Sequence, residues 1–247
     1  MRGVGQIDTP DPKSRSPQEL KNMGLKRGKL IVFEGADGSG KTTQAKLLLN
    51  FLKDPAAGGK IPSEYISFPR YEESLWAEIV RRYLQGQFGK VNDVDPYLAS
   101  VLYAGDRFSA SGQINKWLEL GKLVVCNRYV GSNLAHMAGK MKDKVSRIKF
   151  IKWLEKLEYQ ENKIPKEDLV IFLHVPVEVS RKLISFRKLD IHEADLSYLS
   201  RVVDVYNDLS QNRKNWVKVD CVQGGKILKP EEIHKKVLRI LGERKVL

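Results

Sequence analysis

Apolar positions along the chain fall into short runs set between longer amphipathic stretches. Leu30 to Phe33 is one such run, and its length and flanks predict a strand buried on both faces. From Thr42 to Leu52 the period becomes helical, with Ala45, Leu48, Leu49 and Leu52 on one side. Tyr65 to Phe68 predicts a second strand, and Leu75 to Leu84 a second helix. Asp95-Pro96 supplies an N-cap and a first-turn proline for a long helix that Gly121 closes. Beyond it the pattern predicts a strand from Leu123 to Cys126, an amphipathic helix from Lys144 to Glu161 and a strand from Leu169 to Leu173. Helices follow from Pro176 and from His192 to Asn212. A fifth strand from Trp216 to Cys221 and a last helix from Pro230 to Leu241 complete the chain. Short apolar strands alternating with helices predict an α/β fold, a five-stranded parallel sheet covered on both sides.

Residues 1–27 stand outside this pattern. They are rich in Pro, Ser, Asp and Lys and predict a flexible extension with a short helical turn over Pro17–Met23. No internal repeat or second linker interrupts the rest, so residues 28–247 are expected to form one domain. Hydrophobic residues at 42% and charged residues at 30% fit an ordinary globular protein, and no apolar run nears the length of a membrane helix. The first residues lack the apolar stretch of a secretory signal. Cys126 and Cys221 have apolar neighbours and no metal-ligand spacing, so both are expected as reduced, buried thiols in a cytoplasmic protein. The formal charge of +13 fits either a nucleic-acid or membrane surface or a site for several phosphates on a generally basic protein. Charge alone does not choose between them.

Gly35-Ala36-Asp37-Gly38-Ser39-Gly40-Lys41-Thr42 carries the chemistry. It matches G-x-x-x-x-G-K-[ST] directly after a predicted strand and at the start of a predicted helix. The glycines let the backbone curl so that successive N–H groups, Thr43 included, face phosphate oxygens, and the helix adds its positive end. Lys41 neutralises the β- and γ-phosphates of ATP, and the Thr42 hydroxyl can ligate Mg²⁺. This motif predicts a P-loop NTPase three-layer sandwich, but switches, motors and repair ATPases share it.

Three later motifs narrow the choice. Phe68-Pro69-Arg70-Tyr71 and Asn127-Arg128-Tyr129 each follow a predicted strand, at the carboxyl edge where open α/β sheets place ligands. Arginines there can grip a phosphate or be ordinary surface residues. Tyr103 and Arg107 lie four apart on the long helix and face one way, as a base platform beside a hydrogen-bonding guanidinium would. Equally, Tyr103 could be core and Arg107 the partner of a nearby acid. Ser132, Asn133 and His136 share one side of a following turn or helix.

Together, Phe33 to Gln44, Phe68-Pro69-Arg70, Asp106-Arg107 and Asn127-Arg128-Tyr129 with Ser132-Asn133 resemble the thymidylate kinase family, in the right order, from about Lys29 to Leu241. The resemblance implies transfer of phosphate from ATP to dTMP with Mg²⁺, a homodimer, a short lid and no membrane or nucleic-acid partner. Arg70 and Arg128 would hold the acceptor phosphate, with Phe68 beside them. Tyr103 would stack on thymine, Arg107 and Asn133 would read its edge, and Asp37, Ser132 and His136 would lie along the sugar and phosphate. The segment from Arg181 to Glu193 resembles the lid, and Arg187 in it would be the catalytic cation, with Arg181 and Lys188 as substitutes. Two positions depart from the family's pattern: Asn127 stands where Asp is usual, and His136 where an aromatic is frequent. A histidine there is expected to titrate near neutrality, to make the KM for dTMP pH-dependent and to admit ribo-UMP more readily. On the residues alone, another nucleoside monophosphate kinase remains possible. So do a deoxynucleoside kinase using Glu72 or Glu73 as base, and a non-catalytic nucleic-acid binder.

Overall fold

A computed structural model describes residues 26–57, 61–184, 192 and 195–247, with the side chains of 182–184 excepted. The expected extension up to residue 25, the Pro17–Met23 turn, Arg187 and Lys188 lie outside the described residues.

Five parallel strands run β1 (Leu30–Glu34), β2 (Ser63–Ser67), β3 (Leu123–Asn127), β4 (Leu169–His174) and β5 (Trp216–Asp220), in the order β2-β3-β1-β4-β5. Every residue of β1 and β3 is buried, which is why these strands read as unbroken apolar runs. Strand alternation divides their side chains between two cores. Leu30, Val32, Val124, Cys126, Val170 and Phe172 enter one, while Ile31, Phe33, Val125, Ile171 and Leu173 enter the other.

The first face is covered by α3 (Pro96–Glu119), α4 (Val130–Ala138), α5 (Lys144–Lys156) and α7 (Leu196–Asn212), with α2 (Leu75–Leu84) packed on α3. The second is covered by α1 (Lys41–Lys53) and α8 (Pro230–Glu243). A short α6 (Val177–Ile184) follows β4. The cap expected at Asp95 is present, its carboxylate accepting from the Tyr97 and Leu98 N–H groups at 2.8 and 3.2 Å. Both cysteines are buried and unbridged, as expected.

Three differences from the sequence reading have local causes. The helix expected through Glu161 is α-helical only to Lys156 and continues as a π-helical turn over Leu157–Glu161, which holds Glu158 on the buried face after Phe150 and Leu154. The helix expected from His192 starts at Leu196, because the Asp195 carboxylate accepts the Tyr198 N–H at 3.0 Å and caps it there. A small hairpin, β6 (Val222–Gln223) and β7 (Lys226–Ile227), turns through Gly224 and Gly225, both at positive φ.

α4 approaches the sheet closely at Gly131. A Cβ there would lie 2.7 Å from the Trp216 ring and 2.9 Å from Glu34 Oε1. Gly131→Ala is therefore expected to cost about 1–3 kcal/mol, read as a lower urea midpoint with an unchanged slope. An unchanged midpoint would mean that α4 can shift without loss.

Candidate active site

The phosphate loop connects β1 to α1 along the carboxyl edge of the sheet. Gly35 must lack a side chain: a Cβ would sit 2.6 Å from the Leu173 carbonyl and 2.7 Å from Ser39 Oγ, and φ is +145°. Gly40 occupies the N-cap of α1 at φ 88° with no side-chain cap, so the first-turn N–H groups of the helix are left for an anion. Lys41 is buried and folds back over the loop, donating from Nζ to the Ala36 carbonyl at 2.7 Å and to Ser39 Oγ at 3.4 Å. Thr42 and Thr43 follow it on the exposed side of α1.

Beside the loop is a cavity of about 130 Å³. Asp37, Phe68, Tyr103 and Arg107 line it together with Arg128, Ser132, Asn133 and His136, residues drawn from four separate stretches of chain. Asp37 and Arg128 form an ion pair across its floor. Burial alone would raise the Asp37 pKa, but Arg128, Lys41 and His136 outweigh it and hold the carboxyl well below the usual range. Arg128 has φ 64°, a conformation that costs a non-glycine residue about 1–3 kcal/mol. Its N–H donates to the Phe33 carbonyl at 3.0 Å, and its Nη1 donates to Ser132 Oγ at 3.1 Å. Arg70 is placed differently. It does not line the cavity; its Nε donates to Asp106 Oδ1 at 3.2 Å and its backbone N–H to Asp106 Oδ2 at 2.9 Å, which ties the end of β2 to α3.

At the far end Arg107 is fully buried against Glu158, which accepts from both Nε and Nη2. Burial disfavours the guanidinium charge, yet the Glu158 carboxylate more than offsets this and raises the Arg107 pKa. Asn133 donates from Nδ2 to the Ser100 carbonyl at 3.1 Å, while its Oδ1 is buried without a hydrogen-bond partner.

A family model described as thymidylate kinase matches residues 33–233. The chain belongs to the thymidylate kinase family. It is 26% identical over 221 residues to the thymidylate kinase of Plasmodium falciparum, covering 90% of this chain and 93% of the relative. It is 30% identical over 213 residues to a probable thymidylate kinase of Methanocaldococcus jannaschii, covering 85% and 94%. The solved thymidylate kinase of Candida albicans superposes with a TM-score of 0.68 at 25% identity, covering 89% of this chain and 93% of the other.

Both departures from the thymidylate kinase pattern have visible settings. Asn127 donates from Nδ2 to Thr42 Oγ1 at 3.1 Å and to Ser67 Oγ at 3.2 Å, leaving Oδ1 buried without a partner. Thr42 Oγ1 and Asn127 Oδ1 are neutral, hard oxygens. No group of three His, Cys, Asp or Glu residues capable of holding a metal exists among the described residues. This donor set suits Mg²⁺ shared with phosphate oxygens and water rather than a protein cage.

The expectation that His136 titrates near neutrality is corrected. Burial, then Arg128, pull its pKa down to about 3. The ring is stacked on His192 at 5.5 Å, its Nδ1 lies 3.2 Å from Tyr198 Oη, and its Nε2 lies 3.5 Å from Arg128 Nη1. Since Arg128 can only donate, Nε2 is the acceptor and the proton resides on Nδ1. His136 is thus neutral throughout the physiological range, which removes the basis for a pH-dependent KM through its charge.

Three residues of the site escaped the sequence reading. Glu34 is buried at the end of β1, with Oε1 accepting the N–H groups of Tyr129 and Ser132 at 2.8 and 2.9 Å. Its Oε2 accepts the hydroxyls of Ser132 and Tyr206 at 2.6 and 3.1 Å. A charged residue ending an apolar strand was the available signal. Glu158 and His192 carried none, since long-range pairing brings them in.

The His136 shift fixes a pH prediction. Below the ordinary value of 6.5 the unfolded chain takes up a proton that the folded chain refuses until about 3. Stability is therefore lost as pH falls through that window. His136→Phe cannot bind the proton in either state, so its thermal midpoint is expected to fall less than wild type's between about pH 7 and 5. Parallel curves for the two proteins would assign the acid sensitivity to other groups.

Proposed function

We propose that this chain transfers the γ-phosphoryl group of ATP to dTMP, giving ADP and dTDP. The observation that carries the choice of base is the polarity at the inner end of the cavity. Arg107 is a pure donor, and Asn133, which lines the cavity beside it, has an acceptor, Oδ1, buried without a hydrogen-bond partner among the described residues. Thymine offers O4 to the guanidinium and N3–H to the amide oxygen. Cytosine reverses both groups, with an amino donor at position 4 and an acceptor at N3.

The mechanism follows from charge placement. A nucleoside monophosphate has its second pKa near ~6, so at neutral pH it is mostly a dianion and needs no protein base. The chain's task is to bring two anions in line and neutralise their repulsion. Lys41 and the loop N–H groups hold the donor phosphates. Arg128, fixed by Asp37 and Ser132, and Arg70, oriented by Asp106, hold the acceptor phosphate. Tyr103 and Phe68 enclose the nucleoside with His136 along the sugar. Thr42, with Asn127 beside it, would hold Mg²⁺, which would supply charge neutralisation at the donor phosphates, and Arg187 would supply the cation for charge developing in transfer.

A hydroxyl acceptor fits less well. Glu72 and Glu73 are exposed and engaged with Arg81 and Arg70, and among the described residues the only carboxylate lining the cavity is Asp37, whose depressed pKa makes it a weak base. Residues 28–247 are taken as one catalytic domain with 1–27 as an extension. The two buried thiols support a reducing, cytoplasmic setting, and no helix among the described residues is long and apolar enough to cross a membrane.

A homodimer is part of the same reading. Leu98, Val101 and Phe108 form an exposed stripe at helical spacing on α3, continued across Gly105 by Trp76 and by the 80% exposed Leu75. A second copy of this face would bury it. Phe108→Glu is expected to yield monomers by light scattering at concentrations where wild type is dimeric, and dimeric mutant would place the interface elsewhere.

The deciding experiment is ADP release with dTMP, dUMP, dCMP, dGMP and thymidine in turn, with Lys41→Ala as control. Turnover should be highest with dTMP, and dCMP should be poorer by roughly 10- to 100-fold, the scale set by mismatched buried hydrogen-bonding groups. Phosphorylation of thymidine without dTMP would replace this reading by a nucleoside kinase.

A further inference from the structure

Glu158 is fully buried and belongs to no motif in the chain. It lies in the π-helical turn Leu157–Glu161, the one departure from α geometry in that helical segment. Such turns recur at functional sites, and Glu158 continues the buried face of the helix four residues after Leu154 and eight after Phe150. Here that side chain meets the two residues proposed to read the base. Its Oε1 accepts from Arg107 Nε at 3.0 Å, from Arg107 Nη2, and from Asn133 Nδ2 at 3.4 Å.

We infer that Glu158 is a positioning residue that sets the donor–acceptor polarity of the base site, acting through Arg107 and Asn133. This rests on the proposed reading of the cavity as a thymine site. A carboxylate only accepts. It therefore draws in the amide nitrogen of Asn133, together with the Ser100 carbonyl, and the end of the amide left unpartnered is the oxygen. In the same way it occupies Nε and Nη2 of Arg107, leaving Nη1, whose single contact is a 3.5 Å approach to the Tyr129 carbonyl. Of the two residues, both of which line the cavity, one guanidinium nitrogen, Nη1, and one amide oxygen, Oδ1, are left outside the Glu158 pairing, which is the complement of thymine and the reverse of cytosine. Glu158 does not line the cavity and touches no substrate. Its effect is on which atoms of its neighbours do.

The test compares wild type, Glu158→Gln and Glu158→Leu in kcat/KM for dTMP and dCMP, with KM for ATP measured alongside. Glu158→Leu is expected to raise the KM for dTMP and to lower the dTMP/dCMP ratio by about tenfold or more, the worth of one oriented hydrogen-bonding pair. KM for ATP should stay within about twofold, because the phosphate loop is untouched. Glu158→Gln keeps one carbonyl oxygen and the side-chain volume, so it should lower the ratio by a few-fold only. It also serves if the leucine variant does not fold. A folded variant in which kcat falls for dTMP and dCMP alike, with the ratio unchanged, would make Glu158 a packing residue and overturn the inference. Combining Glu158→Gln with Asn133→Ala gives a second readout: the effects on the ratio should be non-additive, and additive effects would count against action through Asn133. Wild type that prefers dTMP while both variants keep that preference sinks this inference alone. Wild type that neither binds nor phosphorylates dTMP sinks the function reading with it.

Discussion

The wall of the cavity around Arg128 and Ser132 depends on one buried carboxylate. Glu34 ends the central strand and receives two backbone N–H groups and two hydroxyls. Those N–H groups open α4, whose own N-cap residue, Tyr129, contributes no side-chain hydrogen bond. The helix is therefore capped from the sheet rather than from its own sequence. Fixing that helix start fixes the residue before it, Arg128, in a left-handed backbone conformation that the chain would otherwise leave. Four hydrogen bonds from neutral donors let the carboxylate remain in the interior, where an unsatisfied one would be expelled. Ser132 links the two, its hydroxyl accepting from Arg128 Nη1 and donating to Glu34 Oε2.

The same linkage recurs around the cavity. Charged side chains in and beside it are held by partners drawn from a different element: Asp37 by Arg128, Arg107 by Glu158, Arg70 by Asp106. Pairing of this kind adds little to net stability, because desolvation cancels most of the attraction. What it does provide is direction. A guanidinium bound on two nitrogens has one face left to offer, and a site built from such groups is already oriented before substrate arrives.

Much of this was legible in the chain. Leu30–Phe33 and Leu123–Cys126 are continuous apolar runs because both faces of central parallel strands are covered, and the phosphate loop is local in sequence, so its pattern survives without any tertiary knowledge. Tyr103 and Arg107 could be paired by helical spacing alone. Glu158 could not, since its partner lies 51 residues away and its π-turn has no compositional mark. His136 was readable as a departure but not as a neutral ring, because its pKa is set by burial and by Arg128, neither of which is adjacent in sequence in a way that periodicity reports. The β6–β7 hairpin was a missed local signal: Gly224-Gly225 between Val222 and Ile227 is turn chemistry in plain view.

α3 turns one side to the cavity and another to the surface. Arg107 is buried where it lines the cavity, and its immediate neighbour Phe108 is 54% exposed on the outer stripe. Consecutive helical residues are about 100° apart around the axis, so no flexible segment separates the two and no rotation of the rod can move one without the other.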